Sequence, residues 1–395
     1  MADDTTGSRI EEAIALMMDF AQRTGLSSER PQQRYLWTDA FAVCNLLGLG
    51  RVTEDTRYTE LALRLVDQVH HSLGRHRGHA PRSGWLSGLS EAEGEAHPTR
   101  GGLRIGKALP ERGPDEPFDE RLEWDRDGQY FHYLTKWMHA LDQVTRATGQ
   151  PRFNLWAREL AETAYRAFTY PAPDGDRPRR MVWKMSVDLS RALVPAMGQH
   201  DPLDGYVTYI QLRATASRLK EPVGGPLLDE ETGQFAAMIE DRQWATADPL
   251  GLGGLLSDAL RVDQLMRQGA AVDRRLREDL LTAALAGLQH YVGSGELHMP
   301  GEYRLAFREL GLAIGLHAVR LMGQAAERGS AVRARLQALM QYTALGDEIG
   351  AFWRDAQHRH TESWSEHRDI NEVMLATSLA SDGLLVLSPP GGGAL

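Results

Sequence analysis

Cysteine is nearly absent from this 395-residue chain: Cys44 stands alone inside an apolar run. A single thiol closes no intrachain disulfide and builds no cysteine-based zinc site. Long apolar runs are absent as well, since none approaches the ~18 residues of a membrane-spanning helix. The opening residues are polar and acidic, without the basic start and apolar centre of a signal peptide. These absences lead to the expectation of a soluble, cytoplasmic protein with no membrane partner. Positive charge is in deficit, with 44 Lys and Arg against 54 Asp and Glu and a net charge of −10. That balance disfavours nucleic acid and anionic membranes as partners.

Several catalytic signatures are missing too. No Ser-centred nucleophile elbow appears, and no dinucleotide fingerprint sits between a strand and a helix. The stretch Gly101-Gly102-Leu103-Arg104-Ile105-Gly106-Lys107 is glycine-rich but lacks the Gly-Lys-Ser/Thr of a phosphate loop. It offers instead two cations, Arg104 and Lys107, which with Lys184 suit a carboxylate or phosphate on a substrate. Strand patterns are scarce, and residues 180–185 are the main run that reads as one.

What the chain does have is helical periodicity on an ordinary globular composition, 42% apolar and 25% charged. Residues 35–49, 128–147, 203–217, 249–267, 304–323 and 369–386 are apolar on most sides, the pattern of a buried helix. Residues 9–23, 57–74, 152–169, 230–242, 272–292 and 329–354 carry a single apolar stripe. The two kinds alternate strictly. An inner and an outer ring of helices explain that alternation, so the expected fold is all-α, an (α/α)6 toroid. One domain is expected over 1–387, with 388–395 as a disordered tail. An α-solenoid, the competing arrangement, would show a sharper fixed repeat.

The long connections, 75–123, 171–201, 293–303 and 355–368, all precede inner helices, and long loops tend to carry function. Residues 75–123 read as a loop over a pocket. A lone acid at a helix entrance, such as Asp39 or Asp248, is accounted for as an N-cap. Asp125 with Asp127, and His200 and Asp201 with Asp204, supply more acid than capping needs. Carboxylates on opposite walls of a funnel are what glycoside hydrolysis requires. One protonates the leaving oxygen and the other activates water or attacks carbon. Asp125 and Asp127, two residues apart, are not expected both to point inward. Trp85, Trp124, Trp183 and Trp364 lie in or beside the same connections, with Tyr130 and His132 close by. Indoles suit the C–H faces of sugar rings. The polar run 358–369 holds His360, Glu362 and His367, and its His and Glu content raises a metal reading. The remainder of such a site is not found, so neither a metal nor another cofactor is expected.

The alternating helices, with Trp124-Asp125 and Asp204-Gly205 at inner-helix entrances, resemble the six-hairpin glycosidase superfamily. Its members include unsaturated glucuronyl hydrolases and, on a similar toroid, N-acylglucosamine and cellobiose 2-epimerases. The hydrolase resemblance implies a pair of catalytic aspartates, Asp127 with Asp201 or Asp204, acting on a sugar or oligosaccharide. The epimerase resemblance implies a histidine pair exchanging a proton at C2, His200 with His360 or His367. Residues 367–374 resemble the epimerase entrance to the last inner helix. The leading expectation is a glycoside hydrolase, with a sugar 2-epimerase second. A terpene cyclase-like enzyme or a binding protein stands third, for which Asp125 and Asp127 would be a protonating Asp-x-Asp.

Overall fold

The short segments between helices are set by local chemistry, and they decide where the chemical groups end up. The computed structural model describes residues 2–172, 178–221, 223–325 and 331–391. The first helices are α1 (Ala2–Arg23), α2 (Leu36–Thr53) and α3 (Thr56–Leu73), followed by the short α4 (Glu91–Ala96) and α5 (Glu120–Asp125). Then come α6 (Phe131–Thr148), α7 (Pro151–Phe168), α8 (Asp201–Ala216) and α9 (Asp229–Ile239). The rest are α10 (Pro249–Arg267), α11 (Arg274–Ser294), α12 (Ala306–Ala325), α13 (Ala331–Met340), α14 (Thr343–Arg354), α15 (Glu362–Ser365), α16 (Arg368–Leu379) and α17 (Asp382–Leu385). Five short strands complete the set: β1 (Gln129–Tyr130), β2 (Thr169–Tyr170), β3 (Arg180–Met181), β4 (Lys184–Met185) and β5 (Ala192–Val194). The protein is mostly helical, of the all-α class. No described helix is long and apolar enough to cross a membrane.

Most helices fall where the periodicity places them, and α10 matches its expected bounds, capped by Asp248 on the Gly251 N–H at 2.9 Å. Three segments differ. The helix expected at 329–354 is broken between α13 and α14, and residues 329 and 330 lie outside the described residues. At the break, the carbonyls of Leu339 and Met340 accept from the Tyr342 N–H and the Thr343 hydroxyl. The helix expected at 369–386 is α16 followed by the single turn α17, restarted by N–H groups bonding to the Ser381 carbonyl. Most consequential, Trp124 and Asp125 do not open α6. They end the separate helix α5, and Gly128, at φ 148°, turns the chain into β1. A Cβ at Gly128 would stand 2.7 Å from the Met185 carbonyl oxygen. The run 180–185 supplies β3 and β4, and β1, β4 and β5 form one antiparallel sheet with Gln129 opposite Met185 and Tyr130 opposite Lys184.

The contacts group into two units. The first comprises Met1–Arg23, Asn45–Thr56 and Arg242–Leu387. Within it α10 packs on α12, α12 on α16, and α16 on α1, while α11 packs on α10 and α13 and α14 on α12. The contact between α10 and α12 is made by glycine. A Cβ on Gly253 would lie 2.1 Å from the Gly311 carbonyl oxygen, so the two backbones touch. The entrance to α12 is pinned by Arg304, whose guanidinium forks onto Glu309 at 2.7 and 2.6 Å, with the Trp353 indole N–H donating to the same carboxylate.

The second unit comprises Thr24–Cys44, Arg57–Asp241 and Ser388–Leu395. Here α6 packs on α7 and α8, and α8 on α9. The buried Asp142 carboxylate ties three of these helices. It accepts from Arg146 on α6 (2.8 Å), Asn154 on α7 (3.1 Å), and Gln211 (2.7 Å) and Thr215 (3.0 Å) on α8. Residues 388–391 of the expected tail are held here. Arg146 donates to the Ser388 carbonyl and Gly391 N–H to the Arg146 carbonyl, while 392–395 lie outside the described residues.

The α10–α12 contact makes a paired prediction. Gly253→Ala forces two backbones apart and costs about 1–3 kcal/mol, the usual cost of overpacking. Gly254→Ala, whose Cβ meets nothing within 4 Å, gains up to about 1 kcal/mol of helix propensity. Urea midpoints of the two variants should move in opposite directions.

Candidate functional site

Three of the acids and cations singled out in the sequence are fasteners of the second unit. Asp127 is fully buried; one carboxylate oxygen accepts from Arg104 (2.6 Å) and Arg77 (3.1 Å), the other from the Gly106 N–H (3.0 Å). Arg104 also donates to the carbonyls of Arg75 and Ser72. Lys184 gives its three protons to the Glu123 carboxylate, the Glu123 carbonyl and the Arg126 carbonyl, at 2.7–2.9 Å. Glu123 in turn accepts from Arg112 at 2.9 Å. Lys184, with all three ammonium protons engaged, has no donor left for a ligand. These groups lock the 75–123 loop and α5 against β1 and β4.

The other side of that sheet edge is aromatic. Tyr130, opposite Lys184 in the register, has its ring 5.4 Å from Trp183 and 5.4 Å from His132. The Trp183 ring lies 6.0 Å from His132 at 18°, and its indole N–H donates to His132 Nδ1 at 3.3 Å. Trp124, 48% exposed, meets Trp183 edge-on at 4.9 Å. Tyr133 stands edge-on to His132 at 4.8 Å and shares a 2.7 Å hydroxyl contact with Tyr35, over whose ring Lys107 sits at 5.5 Å. Of these rings Trp124 is exposed and Tyr130 is buried.

Asp201 and Asp204 occupy the first turn of α8, after His200, whose side chain makes no capping bond. Three residues apart, they share a helix face, yet their surroundings differ. Asp204 pairs with Lys136 of α6 at 3.0 Å. Asp201 is buried, its Oδ1 3.9 Å from His132 Nδ1 and its Oδ2 without a hydrogen-bond partner. Gly198 makes room for it, since a Cβ there would stand 2.6 Å from the carboxyl group. Burial, reinforced by the charge of Asp204, pushes the Asp201 carboxyl up to about 8, against the opposing pull of Lys136 and of the Gly198 N–H. Burial likewise pushes His132 down to about 4, although its side chain keeps 26% of its surface open. At neutral pH Asp201 is therefore a protonated acid beside an uncharged imidazole.

The remaining candidates have other surroundings. Asp125 is exposed at the end of α5. Trp85 is buried beneath the Arg75 guanidinium at 4.6 Å. Trp364 is buried in the first unit, stacked on Trp353 at 5.7 Å. His360 and Glu362 are exposed in that unit, and His367 stands edge-on to Phe307 at 5.7 Å. The structure thus brings together Trp124, Tyr130, His132, Trp183, Asp201 and Asp204, with Lys107 at the Tyr35 edge. Sequence reasoning missed Lys136, Tyr133 and Tyr35. Lys136 was within reach, because it stands one helical turn after His132.

By its helices the chain is an all-α protein. No protein-family model matches it, and no curated protein matches it. The geometry of the cluster therefore carries the functional reading.

The two shifted groups act oppositely on stability. Asp201, raised in the folded state, contributes stability that is present below its unfolded value near 4 and lost as pH rises to about 8. His132, lowered to about 4, contributes stability present above about 6.5 and lost as pH falls toward 4. Their effects oppose each other below about 6.5, so the Asp201 contribution stands clear between about 6.5 and 8. In that window the wild-type urea midpoint should fall more steeply with rising pH than that of Asp201→Asn; parallel curves would contradict the burial of an uncharged Asp201.

Proposed function

We propose that this chain is a carbohydrate-active enzyme, a glycoside hydrolase with Asp201 as general acid and Asp204 as the ionised partner. The observation that carries the reading is Asp201: a buried carboxyl, protonated at neutral pH, with one oxygen unpartnered, set beside an aromatic wall. Asp201 would give its proton to the glycosidic oxygen as the C1–O bond breaks. Water would attack C1 and release its proton to solvent, while the charge of Asp204, a neighbour of Asp201 on one helix face, would favour the cationic transition state. Trp124 and Trp183 would offer ring surface to the sugar, with Lys107 at the rim. Two environments that hold two carboxyls in different protonation states are the usual mark of an acid and its partner.

The (α/α)6 toroid belongs to the same proposal. It is supported within each unit by alternate helices packing side by side, α10, α12 and α16 in the first and α6 and α8 in the second, with the intervening helices packed on them. A sugar 2-epimerase is the second reading, favoured by the uncharged His132 imidazole in the aromatic cluster. Deuterium incorporation at C2 of a free reducing sugar, without bond cleavage, would select it.

The hydrolase reading is tested on a panel of aryl and alkyl glycosides. Asp201→Asn should lower turnover by about 10²–10⁴ on alkyl glycosides, the range of general acid catalysis, and much less on dinitrophenyl glycosides, whose leaving group needs no proton. Asp204→Asn should slow both. Wild-type activity on alkyl glycosides should decline above a pH of about 8 as Asp201 ionises. Full turnover by both variants would overturn the reading.

A further inference from the structure

Each ring nitrogen of His132 can either donate or accept, and its neighbours determine which. The Trp183 indole N–H points at Nδ1 from 3.3 Å. An indole nitrogen only donates, so the nitrogen it meets must accept. Trp183 has little freedom to turn away. Its own backbone N–H is bonded to the Val194 carbonyl at 3.1 Å, the next residue is the triply bonded Lys184, and its ring is hemmed by Trp124 and Tyr130. Asp201 does not compete for Nδ1, because 3.9 Å is beyond hydrogen-bond reach. The charged groups that bear on the imidazole from α6 and α8 are Lys136 and Asp204, which are paired with each other. Among the described residues, no intramolecular hydrogen bond engages Nε2.

We infer that Trp183 is a positioning residue that holds His132 as the Nε2–H tautomer, so that the imidazole offers a donor to bound ligand and selects one with an acceptor oxygen at that place. A hydroxyl, ring or glycosidic oxygen meets the requirement, and an ammonium or amide N–H does not. A protonated imidazole would set N–H against N–H at Trp183, and the Nδ1–H tautomer would do the same. The ligand half of this inference rests on the hydrolase reading; the tautomer half stands without it.

Ring-nitrogen NMR of uniformly ¹⁵N-labelled protein at neutral pH is the test, with His132 assigned by the signals lost in His132→Gln. The expected result is a pyridine-type Nδ1 and a pyrrole-type Nε2, with Trp183→Phe moving the two toward each other as the second tautomer is populated. A pyrrole-type Nδ1 in the wild type, or unchanged shifts in Trp183→Phe, would overturn the inference. Should Trp183→Phe not fold, His132→Phe decides: the Trp183 indole N–H should exchange with solvent at least about tenfold faster than in the wild type, as expected for a lost hydrogen bond worth ~1–1.5 kcal/mol, and unchanged exchange would overturn it. An Nε2–H tautomer together with fully active Asp201→Asn and Asp204→Asn would sink the hydrolase reading and leave the role of Trp183 intact. The opposite pair of results would do the reverse.

Discussion

The buried carboxylate of Asp127 is the constraint on which the candidate site depends. It gathers Arg104, Arg77 and the Gly106 N–H from one side of the long 75–123 loop and fixes them to the residues just before β1. Removing one partner of such a buried pair typically costs about 3–5 kcal/mol, because the other charge is left uncompensated. With Asp127 held, Gly128 can turn the chain, β1 can pair with β4, and Tyr130, His132 and Trp183 come to share one edge. Lys184 and Glu123 repeat the arrangement a few residues away. Charge in this region is spent on holding backbone in place, and the aromatic surface is what that investment leaves open.

Asp201 and Asp204 show how one helical turn can hold two acids in different surroundings. Both sit at the start of α8, where the helix end favours negative charge. Asp204 has the Lys136 ammonium at 3.0 Å; Asp201 has a glycine, a ring edge and no cation in contact. Loss of water outweighs the helix end and the single Gly198 N–H, and the carboxyl keeps its proton. The neighbouring imidazole responds to the same burial in the opposite sense, by giving its proton up. An acid and a base that are both uncharged can stand side by side in an aromatic cluster at little electrostatic cost.

Apolar spacing alone carried the helical class and the bounds of most helices, because burial of one stripe or of a whole helix is a property of neighbouring residues at fixed offsets. The same spacing marked the Trp124 to His132 region and the start of α8 as chemically overloaded. It could not assign roles within them. Asp127 and Asp201 look alike in sequence, each an aspartate near a helix entrance. One meets two guanidinium groups contributed by residues 77 and 104, and the other meets none. The breaks at Gln341-Tyr342 and Ala380-Ser381 were hidden for a related reason. Apolar residues flank both, and only hydrogen bonds to specific carbonyls end the helices there.

Periodicity and composition, then, were enough for the all-α class, the alternation of buried and striped helices, and the two acid-rich entrances. Only the tertiary structure separated Asp127, Arg104 and Lys184 as fasteners from Asp201, His132 and Trp183 as an aromatic and acid cluster. The reason is physical. Hydrophobic pattern is local and can be read along the chain, whereas protonation state and free hydrogen-bonding capacity depend on which distant groups close around a side chain and on how much water they exclude.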